Sequence, residues 1–125
     1  MEQKICLDTD ACIEIANNTR VGEKILDKIE NYEIFISSIS VFELCLRKYN
    51  IENVDFLLRR FNKLSFDDVC AKEGSEISKE LAKKGKVIDF RDIFIAATCI
   101  INKCSLLTLN LKHFKDIKGL KIITS

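Results

Sequence analysis

At 125 residues, 47% of them hydrophobic, the chain has enough apolar material for one compact domain and too little length for two, so a single unit over residues 1–125 is expected. The 20 basic and 19 acidic side chains leave a formal net charge of +1, which argues against holding nucleic acid by bulk electrostatics alone but leaves room for a metal ion helped by a few rim cations. No window approaches the roughly 18–20 consecutive apolar residues of a membrane span, and Met1-Glu-Gln-Lys leads into only a short apolar run, so a soluble, cytoplasmic protein with no membrane contact is expected.

In chain order, Lys4 to Leu7 is a short apolar run suited to a buried strand. Ala11–Ala16 and Val21–Ile29 carry helical spacing, with Asn17-Asn18 between them. Ile34-Phe-Ile is a second strand. The Ser37-Ser-Ile-Ser stretch offers an N-cap, with Ser38 or Ser40 as its hydroxyl, for a helix running to about Lys48. A helix over Val54–Asn62 follows, then a short strand at Lys63-Leu-Ser-Phe, and then a helix capped by Asp67-Asp68 that runs to Lys84 and stops at Gly85. Asp89 and Asp92 precede a helix over Ile93–Ile101 that is apolar nearly all round and so belongs in the core. Ser105–Leu109 reads as a buried strand, Leu111–Phe114 as a turn of helix and Leu120–Ile123 as a last strand. Strands alternating with helices imply right-handed crossovers and a parallel sheet covered on both faces, with ligands gathering beyond the carboxyl ends of the strands.

The six cysteines, at 6, 12, 45, 70, 99 and 104, lie among Ile, Leu, Ala and Val with no C-x-x-C pair. They read as small buried hydrophobes, and a zinc site lacks the clustered ligands it needs.

Four polar residues stand where apolar runs end or are interrupted: Asp8 after Ile5-Cys-Leu, Glu43 inside Ser40-Val-Phe-Glu-Leu, Asp92 before Ile93-Phe-Ile-Ala-Ala, and Asn110 after Leu106-Leu-Thr-Leu. A carboxylate inside an apolar run must be neutralised, paired or bound to a cation, because burying it bare costs several kcal/mol. Oxygen-only ligands from separate segments point to Mg²⁺ or Mn²⁺. Such a cation suits phosphodiester hydrolysis, supplying an activated water and neutralising charge on phosphate oxygens. Lys83, Lys84 and Lys86, or Arg47 and Lys48, could form a phosphate-holding rim, or simply be the solvated faces of helices.

Each residue also has a plainer reading. Asp89 is an N-cap candidate and Asp92 could be a first-turn anion facing the helix dipole, interactions worth about 0.5–2 kcal/mol each. Asp10 is the expected cap of the helix after the first strand, with an outer-shell metal role as the alternative. Glu43 could be a surface glutamate, and His113 an exposed loop histidine.

The motifs Ile5-Cys-Leu-Asp-Thr-Asp, Ile36-Ser-Ser-Ile-Ser-Val-Phe-Glu-Leu, Ile88-Asp-Phe-Arg-Asp-Ile-Phe-Ile-Ala-Ala and Leu107-Thr-Leu-Asn-Leu-Lys-His-Phe, in this order and at this spacing, resemble the PIN domain family, and more closely the VapC-type toxin ribonucleases of prokaryotic toxin–antitoxin pairs. The resemblance spans nearly the whole chain. It implies a PIN-like three-layer α/β/α sandwich with a mostly parallel central sheet, and a metal-dependent endoribonuclease. Asp8, Glu43 and Asp92 match the family's three acidic positions and Asn110 its fourth polar position, with Thr9 and Thr108 at small hydroxyl positions beside them. The resemblance implies one or two Mg²⁺ or Mn²⁺ ions: Asp8 and Asp92 as direct ligands, Glu43 as ligand or water-orienting group, Asn110 in the outer shell. His113 departs from the family's usual Asp or Glu, which bears on any second metal. A cognate antitoxin protein, an RNA substrate and a homodimer are implied too, and the apolar stripes of Val21–Ile29 and Val54–Phe61 are either the dimer face or core.

Other functions fit parts of the pattern. Asp8-Thr-Asp after a strand is similar to the nucleophile pair of haloacid-dehalogenase-like phosphatases, but no late acidic pair accompanies it. A response-regulator receiver needs its phosphoacceptor after a middle strand, where only Asp67 and Asp68 stand. A housekeeping RNA-processing PIN nuclease and a non-catalytic PIN-like scaffold are the nearer alternatives.

Overall fold

A computed structural model describes residues 3–124. The elements are β1 (Lys4–Leu7), α1 (Thr9–Ala16), α2 (Arg20–Ile29), β2 (Glu33–Ser37), α3 (Ser38–Cys45), α4 (Ile51–Arg60), β3 (Asn62–Leu64), α5 (Asp68–Lys83), α6 (Phe90–Ile101), β4 (Ser105–Thr108), α7 (Leu111–Phe114) and β5 (Ile122–Thr124). The five strands form one sheet in the order β3-β2-β1-β4-β5, every pairing parallel.

The pleat divides the core into two layers, because successive side chains of a strand point to opposite faces. Ile5, Leu7, Ile36 and Leu107 face α1, α2 and α4, where they pack with Ala11, Cys12, Ile25, Ile29, Val54 and Leu57. Cys6, Phe35 and Leu106 face the other way, against Ile77 and Leu81 of α5 and Ile93, Ala96, Ala97 and Cys99 of α6. The apolar stripes of α2 and α4 are therefore core, with Val21, Ile51 and Phe56 their exposed large side chains.

The chain builds outward from β1 through β2 to β3, then crosses back to lay β4 and β5 on the other side of β1. The strand order reverses between β1 and β4, and such a switch point opens a crevice at the carboxyl ends of the strands. β1 runs into α1 at Asp8, and β4 leads through Leu109 to Asn110.

Local sequence sets most boundaries. Asn18 adopts a left-handed φ of 55° between α1 and α2, and Gly85 a φ of 69° beyond α5. Gly22 lets α2 press on the end of α1: an added Cβ would meet the carbonyl oxygen of Glu14 and come within 2.7 Å of its carbonyl carbon. Three expectations are corrected. Helix α3 ends at Cys45 rather than Lys48, because Leu46 and Tyr49 are 62% and 77% exposed and give the chain nothing to pack against. Its cap is Ser37, which accepts from the Ser40 amide, whereas the Ser38 hydroxyl accepts from the Phe66 amide. Cys45 is exposed, unlike the other five cysteines.

Candidate active site

Asp8 sits where β1 becomes α1. Its amide completes the ladder to the Leu107 carbonyl at 3.0 Å, so the carboxylate leaves the sheet beside β4. Oδ1 accepts from the Thr9 amide at 2.6 Å, and Oδ2 accepts from the Thr108 hydroxyl at 2.7 Å. Thr108 Oγ1 in turn accepts from the Asn110 amide at 2.9 Å. Asp8 is only 5% exposed. Burial pushes its carboxyl up from the ordinary 3.8 to about 6; the bonds from Thr108 and Thr9 oppose the rise without cancelling it, and Asp10 and Asp92 add to it.

Asp8, rather than Asp10, is thus the residue that caps α1. Asp10 lies within the first turn of α1, and its Oδ2 accepts from Asn110 Nδ2 at 2.6 Å. The strand end leaves Asp8 in the extended backbone an N-cap requires, which overrides the preference read from sequence. Asn110 thereby ties the end of β4 to the first turn of α1.

Glu43 comes from α3 and lines the same cleft. Oε1 accepts from the Thr9 hydroxyl at 2.7 Å, and Oε2 lies 3.2 Å from Arg91 Nη1. Thr9 Oγ1 also shares a 2.8 Å hydrogen bond with Ser40 Oγ, so Ser40 supports Thr9 rather than acting as the cap. Asp92 comes from the first turn of α6, behind its cap Asp89, which accepts from the Arg91 amide at 2.8 Å. His113 Nδ1, on α7, lies 3.1 Å from Asp92 Oδ2. Burial raises the Asp92 carboxyl above its usual range; His113 acts against that rise, while Asp89 and Glu43 add to it.

Asp8, Glu43, Asp92 and Asn110, from four segments, line one cleft of about 460 Å³ together with Asp10, Asp89, His113, Arg47 and Arg91. A larger hollow of about 880 Å³ at the opposite end of the sheet is bordered by Lys4, Lys103 and Lys121 and contains no buried carboxylate. The unexpected member is Arg91, whose flanking Asp89 and Asp92 make it look like ordinary surface charge. Of the suggested rim cations, Arg47 borders the cleft, whereas Lys86 pairs with Asp116 at 2.8 Å.

The carboxylate and amide donors of the cleft are hard oxygens, as Mg²⁺ and Mn²⁺ prefer. Asp8 has hydroxyl and amide partners but no cationic one among the described residues, so the site has a charge that a cation would balance. Among the described residues no three Asp, Glu, His or Cys side chains stand close enough together to form a closed ligand cluster. An ion that keeps several waters and takes one or two carboxylates does not need one.

Fold and cleft together define the class. The family model described as PIN domain matches residues 5–120, and the chain belongs to the PIN domain family. Among its relatives are VapC proteins: it is 32% identical to Ribonuclease VapC1 of Methanocaldococcus jannaschii over 97% of this chain and 88% of that one. It is 28% identical to the tRNA(fMet)-specific endonuclease VapC of Salmonella typhimurium over 95% of this chain and 96% of that one. The crystal structure of VapBC2 from Rickettsia felis bound to a DNA fragment from their promoter matches with a TM-score of 0.85 at 27% identity, covering 98% of this chain and 99% of that one. No described helix is long and apolar enough to cross a membrane.

Proposed function

We propose that the protein is a Mg²⁺- or Mn²⁺-dependent endoribonuclease, the toxin of a type II toxin–antitoxin pair, acting in the cytoplasm. The observation that carries this is Asp8: a buried carboxylate at the switch point of a parallel sheet, without a cationic partner among the described residues, in one cleft with Glu43 and Asp92. Support for the substrate comes from relatives named ribonuclease and, in one case, tRNA(fMet)-specific endonuclease.

Asp8 and Asp92 would hold the cation, with Glu43 reaching it through a water, and Asn110 would act from the outer shell by fixing Asp10. A bound divalent cation supplies neutralisation of phosphate charge and makes water a stronger acid. In hydrolysis one P–O bond forms from a water oxygen and another breaks. Glu43, held by the Thr9 hydroxyl, is the carboxylate that would receive the water's proton, and the leaving oxygen takes its proton from solvent. Thr9 and Thr108 keep Glu43 and Asp8 from swinging out of the cleft, a preorganisation that speeds the chemical step.

The partner is a small antitoxin protein whose chain covers the cleft, a reading supported by the match to a VapBC assembly. The chain would also pair with a second copy. With the stripes of α2 and α4 buried, the apolar contact for that falls to exposed side chains such as Phe42, Val69, Val87 and Phe90.

Incubating the pure protein with total RNA in Mn²⁺, Mg²⁺ or chelator, and mapping the new ends, tests the activity. Discrete cuts that need the metal are expected; release of phosphate from a small ester without RNA cutting would select a phosphatase instead.

A further inference from the structure

Arg91 is held in an unusual way for a surface arginine. Its Nε and Nη2 reach Asp89 Oδ1 and Oδ2 at 3.3 and 3.4 Å, while Nη1 turns into the cleft toward Glu43 Oε2 at 3.2 Å. Three of the five guanidinium N–H donors are thus engaged, which leaves two, and the side chain is 55% exposed. The fork on Asp89 sets the plane of the group, because Asp89 is itself fixed as the cap of α6. The single bond to Glu43 is the one that can be exchanged without moving the guanidinium.

The charge of the cleft says what would take that bond. Its carboxylates, at positions 8, 10, 43, 89 and 92, would repel a polyanion, and its guanidinium groups are those of Arg47 and Arg91. Arg91 is the one in contact with a candidate catalytic carboxylate. A planar guanidinium with free donors matches two oxygens of a phosphate better than an ammonium does.

We propose that Arg91 binds the RNA backbone at this site. Anchored by Asp89, it neutralises Glu43 in the free protein, and when RNA arrives it transfers its Nη1 donor to a non-bridging phosphate oxygen and frees Glu43. This deepens the ribonuclease function proposed above and rests on it.

Binding is separated from cutting in an Asp8→Asn background. Filter retention of end-labelled total RNA is measured over a salt series for that protein, and for the same protein carrying Arg91→Ala or Arg91→Lys, each with the melting temperature of its parent. Arg91→Ala is expected to weaken binding about tenfold and to lower the slope of log affinity against log salt by about 0.7, the value of one phosphate contact on a single strand. Arg91→Lys keeps the slope and restores part of the affinity, since it keeps the charge and loses the fork. Unchanged affinity and slope in Arg91→Ala, with turnover lost in the Asp8-containing protein, would overturn the assignment and make Arg91 only a positioning residue for Glu43. If the Asp8-containing protein cuts no RNA with any metal and the Asp8→Asn protein retains none, the ribonuclease function falls and Arg91's role with it.

Discussion

Asp8 reverses the usual effect of an acidic residue on stability. Its carboxyl rises from 3.8 to about 6 because burial disfavours the charged form, so between those pH values the folded chain binds more protons than the unfolded one. From this group, metal-free stability falls as pH rises from about 4 to about 6 and stays lower by about 3 kcal/mol above that. Asp67, Asp89 and Asp116, whose carboxyls are lowered by their hydrogen-bond donors, act in the opposite sense and lose their contribution as the solution is acidified. Asp8→Asn should therefore raise the metal-free denaturation midpoint at pH 7.5, by about 1–3 kcal/mol in free energy, while abolishing cleavage; a variant that melts lower than its parent would contradict this. Thr108→Val removes the donor to Oδ2 and the acceptor of the Asn110 amide, and should cut activity about tenfold or more with little change in fold, measured as kcat on a fixed RNA. The sequence marks Asp8, Glu43 and Asp92 because each ends, interrupts or opens an apolar run, and the structure brings the three to one cleft. It does not mark Arg91: its bond to Glu43 spans 48 positions, and no local pattern marks a contact of that range.

At the scale of elements, the sheet places the residues and the helix caps orient them. Apolar runs revealed β1, β2 and β4 and the buried helix α6, since a strand or helix covered on all sides has little room for polar residues. Cap choice was harder to read. Both Asp8 and Asp10 have the chemistry, and only the position where β1 ends decides between them. The end of α3 is likewise hidden in the sequence, because Leu46 and Tyr49 continue an apolar pattern but stay exposed. The α1–α2 contact depends on Gly22, where an added methyl would strike the backbone of Glu14 and Ile15, which cannot move aside as a flexible side chain would. Gly22→Ala should cost about 1–3 kcal/mol, lowering the melting temperature by roughly 4–10 °C, with Gly74→Ala as a milder control because Ile93 and Ala97 lie at ordinary contact distance there.

For the whole molecule, the strand order makes the site. Reversal between β1 and β4 brings residues 10 and 110, a hundred positions apart, to one crevice beside Asp8, and α3 and α6 add Glu43 and Asp92 to its lining. If the exposed apolar side chains form a self-association face, light scattering on the isolated chain should give twice its 14.3 kDa mass, and a strictly monomeric mass would refute the dimer. The cation proposal makes a sharper demand. A divalent ion must displace the proton that Asp8 retains up to about pH 6, so its binding is linked to that titration. Calorimetric titration of Mn²⁺ between pH 5 and 7.5 is the most direct test: affinity should climb with pH, level off above about 6, and vanish in Asp8→Asn. Mn²⁺ affinity that ignores pH over this range, or survives Asp8→Asn undiminished, would show that the cleft does not hold its cation through Asp8.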